Sequence, residues 1–162
     1  MAGPARDELL NEVREVYAEL AVRPVERNCT GIAQCCSFRV NGRTPFLTKG
    51  EALVAAKAWR ASGRKEIVLP PDGSCPFLGR NGRCQIYEAR PFGCRTHFCE
   101  AAGGPYARGE VRDLIQRLES IDHQLGGSGG VNLATAVTVG MSELDAHSDR
   151  GEVNRKRHRR GR

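Results

Sequence analysis

Leu9, Val13, Val16, Tyr17 and Leu20 recur at spacings of four, three, one and three residues. That single apolar stripe predicts an amphipathic helix over residues 6–22. Arg23-Pro24 should end it, because proline lacks the donor N–H and disfavours a helical predecessor. Val111, Leu114, Ile115, Leu118, Ile121 and Leu125 form a second stripe and predict a helix between Pro105 and Leu125. Between these, Thr48 stands three residues before Glu51, the spacing of a capping box, and opens a helix to about Ala61 that Ser62-Gly63 closes. Trp59, near its end, reads as a packing residue.

The remaining apolar runs are short. Phe38–Val40 and Pro45–Leu47 flank Asn41-Gly42, a dipeptide that favours a hairpin turn. Ile67–Leu69 reads as a strand stopped by Pro70-Pro71. Cys75–Leu78 and Cys84–Tyr87 flank a second Asn-Gly pair, Asn81-Gly82, and predict a hairpin with a cysteine beginning each strand. Residues 90–99 read as a loop followed by a helical turn. Gly126–Gly130 (GGSGG) has the composition of a flexible linker. A short helix over Val131–Leu144 and a disordered last dozen residues would follow. The expected architecture is a small α+β single domain, with terminal helices around short β-hairpins. Residues 1–125 form the expected cysteine domain, with a motif core at 28–101; residues 126–162 form linker and tail.

Charge changes the picture once it is located. The chain carries a formal +6, but residues 151–162 hold six basic residues and one acid, so the folded part is nearly neutral. A nucleic-acid or acidic partner is therefore an expectation for the tail alone, and no aromatic residue lies among its arginines to stack on bases. No apolar run approaches the roughly 18 residues of a membrane span, and Met1–Leu20 alternates charged and apolar positions, unlike a secretory signal. These features point to the cytoplasm and away from a membrane.

Seven cysteines, Cys29, Cys35, Cys36, Cys75, Cys84, Cys94 and Cys99, carry the chemistry. An odd count without a signal sequence argues for metal or redox work rather than a disulfide framework. Thiolates are soft donors that suit Zn²⁺ and iron–sulfur clusters, and the spacing C-x5-C-C then C-x8-C-x9-C-x4-C would bring loops distant in sequence to one point. Cys75 and Cys84 would meet if their hairpin register opposes them. A structural metal can contribute on the order of 10 kcal/mol, which would supplement a core with only 6% aromatic residues. Two alternatives remain: buried inert thiols, and a disulfide switch around Cys94, which sits beside Arg95 and near His97. Arg90 and Arg95 are placed to offset thiolate charge. Glu88 and Glu100 do not make an acid–base pair, and Gly126–Gly130 follows a helix rather than preceding one as a phosphate loop does. No catalytic residue is assigned.

The run CPFLGRNGRCQIYEARPFGCRTHFC, with Cys29, Cys35 and Cys36 upstream and the Leu47-Thr48-x-x-Glu51 helix start, resembles the YkgJ-like cysteine-cluster family, the zinc- or iron-chelating CxxCxxCC domain. The resemblance spans roughly residues 28–101. It implies that all seven cysteines are candidate ligands of zinc or iron, including a 4Fe–4S cluster. A related cysteine motif occurs in flagellin lysine methylases, which keeps an iron–sulfur-dependent enzyme or electron carrier, acting on a protein or nucleic acid, as the alternative. Ile32 stands where the family pattern has its second cysteine. Seven thiols cannot fill two four-ligand sites with sulfur alone, and His97 is the nearest residue to complete one.

Overall fold

Helix α1 occupies Arg6–Val22 and buries Leu9, Leu10, Val13, Val16, Tyr17 and Leu20, the face marked by the apolar stripe. The computed structural model describes residues 3–23, 44–97 and 104–160, with side chains as far as 148. Helix α2, Lys49–Ala61, starts at Thr48 with the capping box in place. It is buried on nearly every side through Gly50–Ala56 and Trp59, so it is the central helix of the fold. A five-residue helix α3, Phe92–Thr96, follows a 3₁₀ turn at Tyr87–Ala89. The second long stripe forms a 3₁₀ turn at Arg108–Val111 and then α4, Arg112–Gln124. A last helix α5 spans Leu133–Arg160.

The strands are few. Among the described residues, β1 (Phe46–Leu47) pairs antiparallel with β2 (Val131–Asn132), Phe46 opposite Asn132 and Leu47 opposite Val131. The fold is thus helix-rich α+β with one short two-stranded sheet among the described residues. Residues 38–43 of the expected first hairpin lie outside the described residues; its other half is β1, whose described partner comes from beyond α4. Ile67–Leu69 is not a strand: it has no regular structure, and Val68 and Leu69 are exposed. Without a paired neighbour, β-branched residues alone do not hold strand geometry.

The segment after α4 also differs from a flexible linker. Gly126 and Gly129 adopt positive φ, and the Asp122 carboxylate accepts the Gly129 N–H at 2.9 Å and the Lys49 N–H at 2.7 Å. Beyond β2, Leu133, Ala136, Val137, Met141 and Leu144 are buried in the same core as α1, α2 and α4. α5 packs chiefly on α2, and its backbone stays helical to Arg160 where a disordered tail was expected. Among the described residues, no helix is long and apolar enough to cross a membrane.

At Gly140, α5 and α2 approach closely. A Cβ there would lie 3.1 Å from the Ala52 carbonyl oxygen and 3.4 Å from the Ala56 Cβ. Gly140→Leu should push the helices apart and destabilise the fold by about 2 kcal/mol, read as a lower urea midpoint. An unchanged midpoint would mean that this crossing is looser than the geometry indicates.

Candidate metal centre

Two anchors set the second cysteine group on α2. The Trp59 ring meets the Phe77 ring edge-on, with centroids 5.3 Å apart, and its Nε1 donates to the Glu66 carbonyl at 2.8 Å. Phe77, Ile86 and Phe92 are buried, and Cys75 is buried among them at 5% exposure.

The expected second hairpin is reduced to one bridge, between Leu78 and Cys84. Gly82, at φ 73°, supplies the left-handed residue of its turn; the Gly82 N–H donates to the Gly79 carbonyl at 2.9 Å, and the Gly79 N–H to the Arg83 carbonyl at 2.8 Å. This register puts Leu78, not Cys75, opposite Cys84. Cys75 instead opens a tight turn in which the Leu78 N–H donates to its carbonyl at 3.1 Å. The expectation that the two thiols face each other across paired strands is therefore corrected. The turn closes too early for it.

Cys94 lies half-buried in the middle of α3. Arg95 pins the backbone that leads to it, its Nε donating to the Arg90 carbonyl at 2.8 Å and an Nη to the Glu88 carbonyl. Its guanidinium also lies 4.2 Å over the Tyr17 ring of α1. Burial lowers the Arg95 pKa, opposed by the charges of Glu88 and Cys94 among others, while nearby Arg90 lowers it further. Arg90 stacks 3.7 Å over the Tyr87 ring, and its Nε is buried with no hydrogen-bond partner among the described residues.

Sequence reasoning missed the group that holds this segment in place. Glu51, 3% exposed, accepts the Thr48 N–H and hydroxyl at 2.9 Å each, the Phe92 N–H at 2.8 Å and the Tyr17 hydroxyl at 3.4 Å. One carboxylate thereby joins α2, α1 and the first residue of α3. The capping-box spacing marked Glu51 as a helix cap; nothing local marked its two distant donors. Burial raises its pKa, against the lowering effect of these hydrogen bonds. Burial, then the Glu51 charge, pushes the Tyr17 phenol well above its ordinary value, so Tyr17 stays a neutral donor.

A pH dependence follows. Above the ordinary Glu value of about 4.3, the native state still holds a proton that the unfolded chain has released. Glu51's contribution to stability should therefore fall as pH rises through that window, then stay constant above the raised native value. Glu51→Gln should remove this decline, and urea unfolding of both proteins across the window reads the difference. Parallel profiles would contradict the raised value.

Pro45, near the start of the described stretch 44–97, lies beside α3: a Cβ built on Gly93 would be 3.5 Å from its side chain. The Tyr106 N–H donates to the Thr96 carbonyl at 2.9 Å, so the described chain on either side of residues 98–103 meets next to Cys94. Cys29, Cys35, Cys36 and Cys99 themselves lie outside the described residues. His97 is half-buried directly after α3. Among the described residues, no three His, Cys, Asp or Glu side chains are grouped as a metal would require.

A family model, CxxCxxCC, described as a putative zinc- or iron-chelating domain, matches residues 28–114, just over half the chain. The chain belongs to the CxxCxxCC family. No curated protein and no solved structure matches it. As a CxxCxxCC domain it carries zinc or iron chelation as the family's described property. The donor chemistry fits such a group: the soft thiol of Cys94 lies within electrostatic reach of Arg95, whose neighbour Arg90 has a buried N–H unsatisfied among the described residues. Four thiolates around a divalent metal leave a net negative charge, which these cations suit.

Proposed function

We propose that the protein chelates zinc or iron through its clustered thiolates, in a site that also holds the irregular half of the fold together. Cys75, Cys84 and Cys94 are the ligands among the described residues, joined by Cys29, Cys35, Cys36 and Cys99. His97 completes the set where Ile32 leaves the pattern one thiol short. Arg90 carries most weight in this reading, because its buried Nε, unpartnered among the described residues, lies in the segment leading to Cys94 and needs an acceptor, a role that a thiolate fills. Cys75 at 5% exposure favours a water-excluded, structural centre over one with an open coordination position. When bound, the metal supplies cross-linking of chain segments; the cytoplasm, where thiols stay reduced, suits it.

Metal and acid-labile sulfide analysis, with an absorption spectrum, on protein purified without oxygen tests this directly. Zinc without colour supports the structural centre. Iron with matching sulfide supports a 4Fe–4S cluster and turns attention to the alternative, an iron–sulfur enzyme or electron carrier. Folded, metal-free protein would overturn the proposal. Cys84→Ser should lower metal content and melting temperature together; unchanged stoichiometry would remove Cys84 from the site.

The helical continuation to Arg160 supports a second, separate role. It places five basic residues within positions 155–160 of one helix, a density that suits a polyanion such as nucleic acid. Deleting residues 151–162 should abolish a salt-sensitive interaction, and equal binding without them would exclude it.

A further inference from the structure

We infer that Glu51 is a positioning residue for the metal centre: by receiving the Phe92 N–H and the Tyr17 hydroxyl, it fixes the helical turn that presents Cys94. The inference rests on the reading of Cys94 as a ligand and extends it to a group remote in sequence.

Cys94 belongs to a helix of only five residues, too short to hold its own orientation in water. Its geometry must be imposed from outside, and the structure shows where. At its start, Glu51 holds the Phe92 N–H at 2.8 Å, two residues before Cys94. The same carboxylate holds the Tyr17 hydroxyl at 3.4 Å, and the Tyr17 ring carries the Arg95 guanidinium on its face at 4.2 Å, one residue after Cys94. Arg95 in turn binds the carbonyls of Glu88 and Arg90, in the stretch that connects Cys84 to Cys94. Both flanks of Cys94 therefore trace back to Glu51, which is itself fixed by its two bonds to Thr48 at the start of α2. A carboxylate needed only to cap α2 would not require the donors from α1 and α3. Groups that orient a ligand in this way are worth about 10–100-fold in metal affinity.

The test uses the full-length protein and Zn²⁺ alone, with affinity read by competition against a chelator. Glu51→Ala should bind Zn²⁺ about 10–100-fold more weakly. Glu51→Gln keeps an acceptor for Phe92 and Tyr17, and its affinity should fall between those of the alanine variant and the native protein. Tyr17→Phe keeps the ring under Arg95 and removes only the hydroxyl, so it gives a measurement even if Glu51→Ala does not fold; it should also bind more weakly. Met141→Ala, buried in α5 and making none of these hydrogen bonds, controls for general destabilisation and should leave affinity unchanged. With Co²⁺ in place of Zn²⁺, a shift of the ligand-field bands in Tyr17→Phe but not in Met141→Ala would mark altered ligand geometry. Native affinity and unshifted bands in Tyr17→Phe and Glu51→Gln, with Cys94→Ser losing metal, would overturn the inference and leave the ligand assignment standing. Cys94→Ser binding as tightly as the native protein would overturn the ligand assignment, and the inference with it.

Discussion

Asp122→Ala should destabilise the protein by about 3 kcal/mol, a loss of roughly 6–12 °C in melting temperature at this chain length. Asp122 is 4% exposed near the end of α4, and its carboxylate accepts the Lys49 N–H at 2.7 Å and the Gly129 N–H at 2.9 Å. The first of these bonds places a carboxylate at the N-terminus of α2, where the amides are unpaired and the helix dipole favours negative charge. The second shapes the turn that returns the chain from α4 to β2. Alanine would leave both donors without their acceptor at a junction that seats α2, α4 and α5 together. Gly127 supplies an independent check. A Cβ there would lie 2.1 Å from Asp122 Oδ1, a separation that no relaxed structure allows, so Gly127→Ala should be about as damaging as the loss of the carboxylate. Because the collision disappears with the carboxylate, the double variant should be less destabilised than the sum of the singles, by about 1 kcal/mol or more. Additive effects in urea unfolding would show that Gly127 and Asp122 do not meet.

This junction also explains where the sequence misleads. Gly-Gly-Ser-Gly-Gly has the composition of a linker, yet its glycines serve positive φ at Gly126 and Gly129 and close contact at Gly127. Composition cannot distinguish glycine used for freedom from glycine used for space. The helix beyond it was more legible than the short one expected. Leu133, Ala136, Val137, Gly140, Met141 and Leu144 fall at spacings of three, one, three, one and three, the same stripe that marks α1. Small residues at Ala136 and Gly140 weakened the apolar signal, although the glycine is what permits the close crossing with α2. Helices α1, α2 and α4 were readable because each carries a full stripe or cap within its own span. The pairing of β1 with β2 was not legible, because that partner is fixed by tertiary packing after α4.

At the candidate site, the residue types were legible and their arrangement was not. Thiol chemistry and spacing are local properties of the chain, and they led to the family that the match over residues 28–114 shows. The Leu78–Cys84 register depends on a turn closed between Gly79 and Arg83, one detail that shifts which residues face each other. Arg95 was expected to offset thiolate charge; it lies within electrostatic reach of Cys94 while its hydrogen bonds go to the carbonyls of Glu88 and Arg90, and Arg90 keeps an N–H unsatisfied among the described residues. Glu51 lies far from every cysteine in sequence. Its second role exists only after α1, α2 and α3 have met.

Removing the metal should divide the molecule into two parts of different stability. Helices α1, α2, α4 and α5 share a continuous buried core that includes Leu10, Val13, Leu53, Leu114, Leu118, Leu133 and Val137. Residues 62–97 contain little regular structure: one bridge, a 3₁₀ turn and a five-residue helix, with Cys75, Pro76, Phe77, Ile86, Pro91 and Phe92 as their buried members. Backbone hydrogen bonds are sparse in that half, so its order depends on side-chain anchors and on whatever cross-links the thiols. A metal present at a thousand times its dissociation constant stabilises the native state by about 4 kcal/mol, and chelation withdraws that term. The expected result is a fall in melting temperature with most far-ultraviolet helicity retained. Hydrogen exchange should become fast for the amides of Leu78, Gln85, Cys94 and Arg95, which donate backbone hydrogen bonds in this segment, while those of α2 and α4 stay protected. Restoring metal should return both signals, and lower pH should oppose it because the thiols must shed protons to bind as thiolates. Uniform loss of protection across α2 and residues 75–96 would mean that the helical core cannot stand alone. Unchanged protection at Leu78, Gln85 and Cys94 would mean that no metal organises this segment.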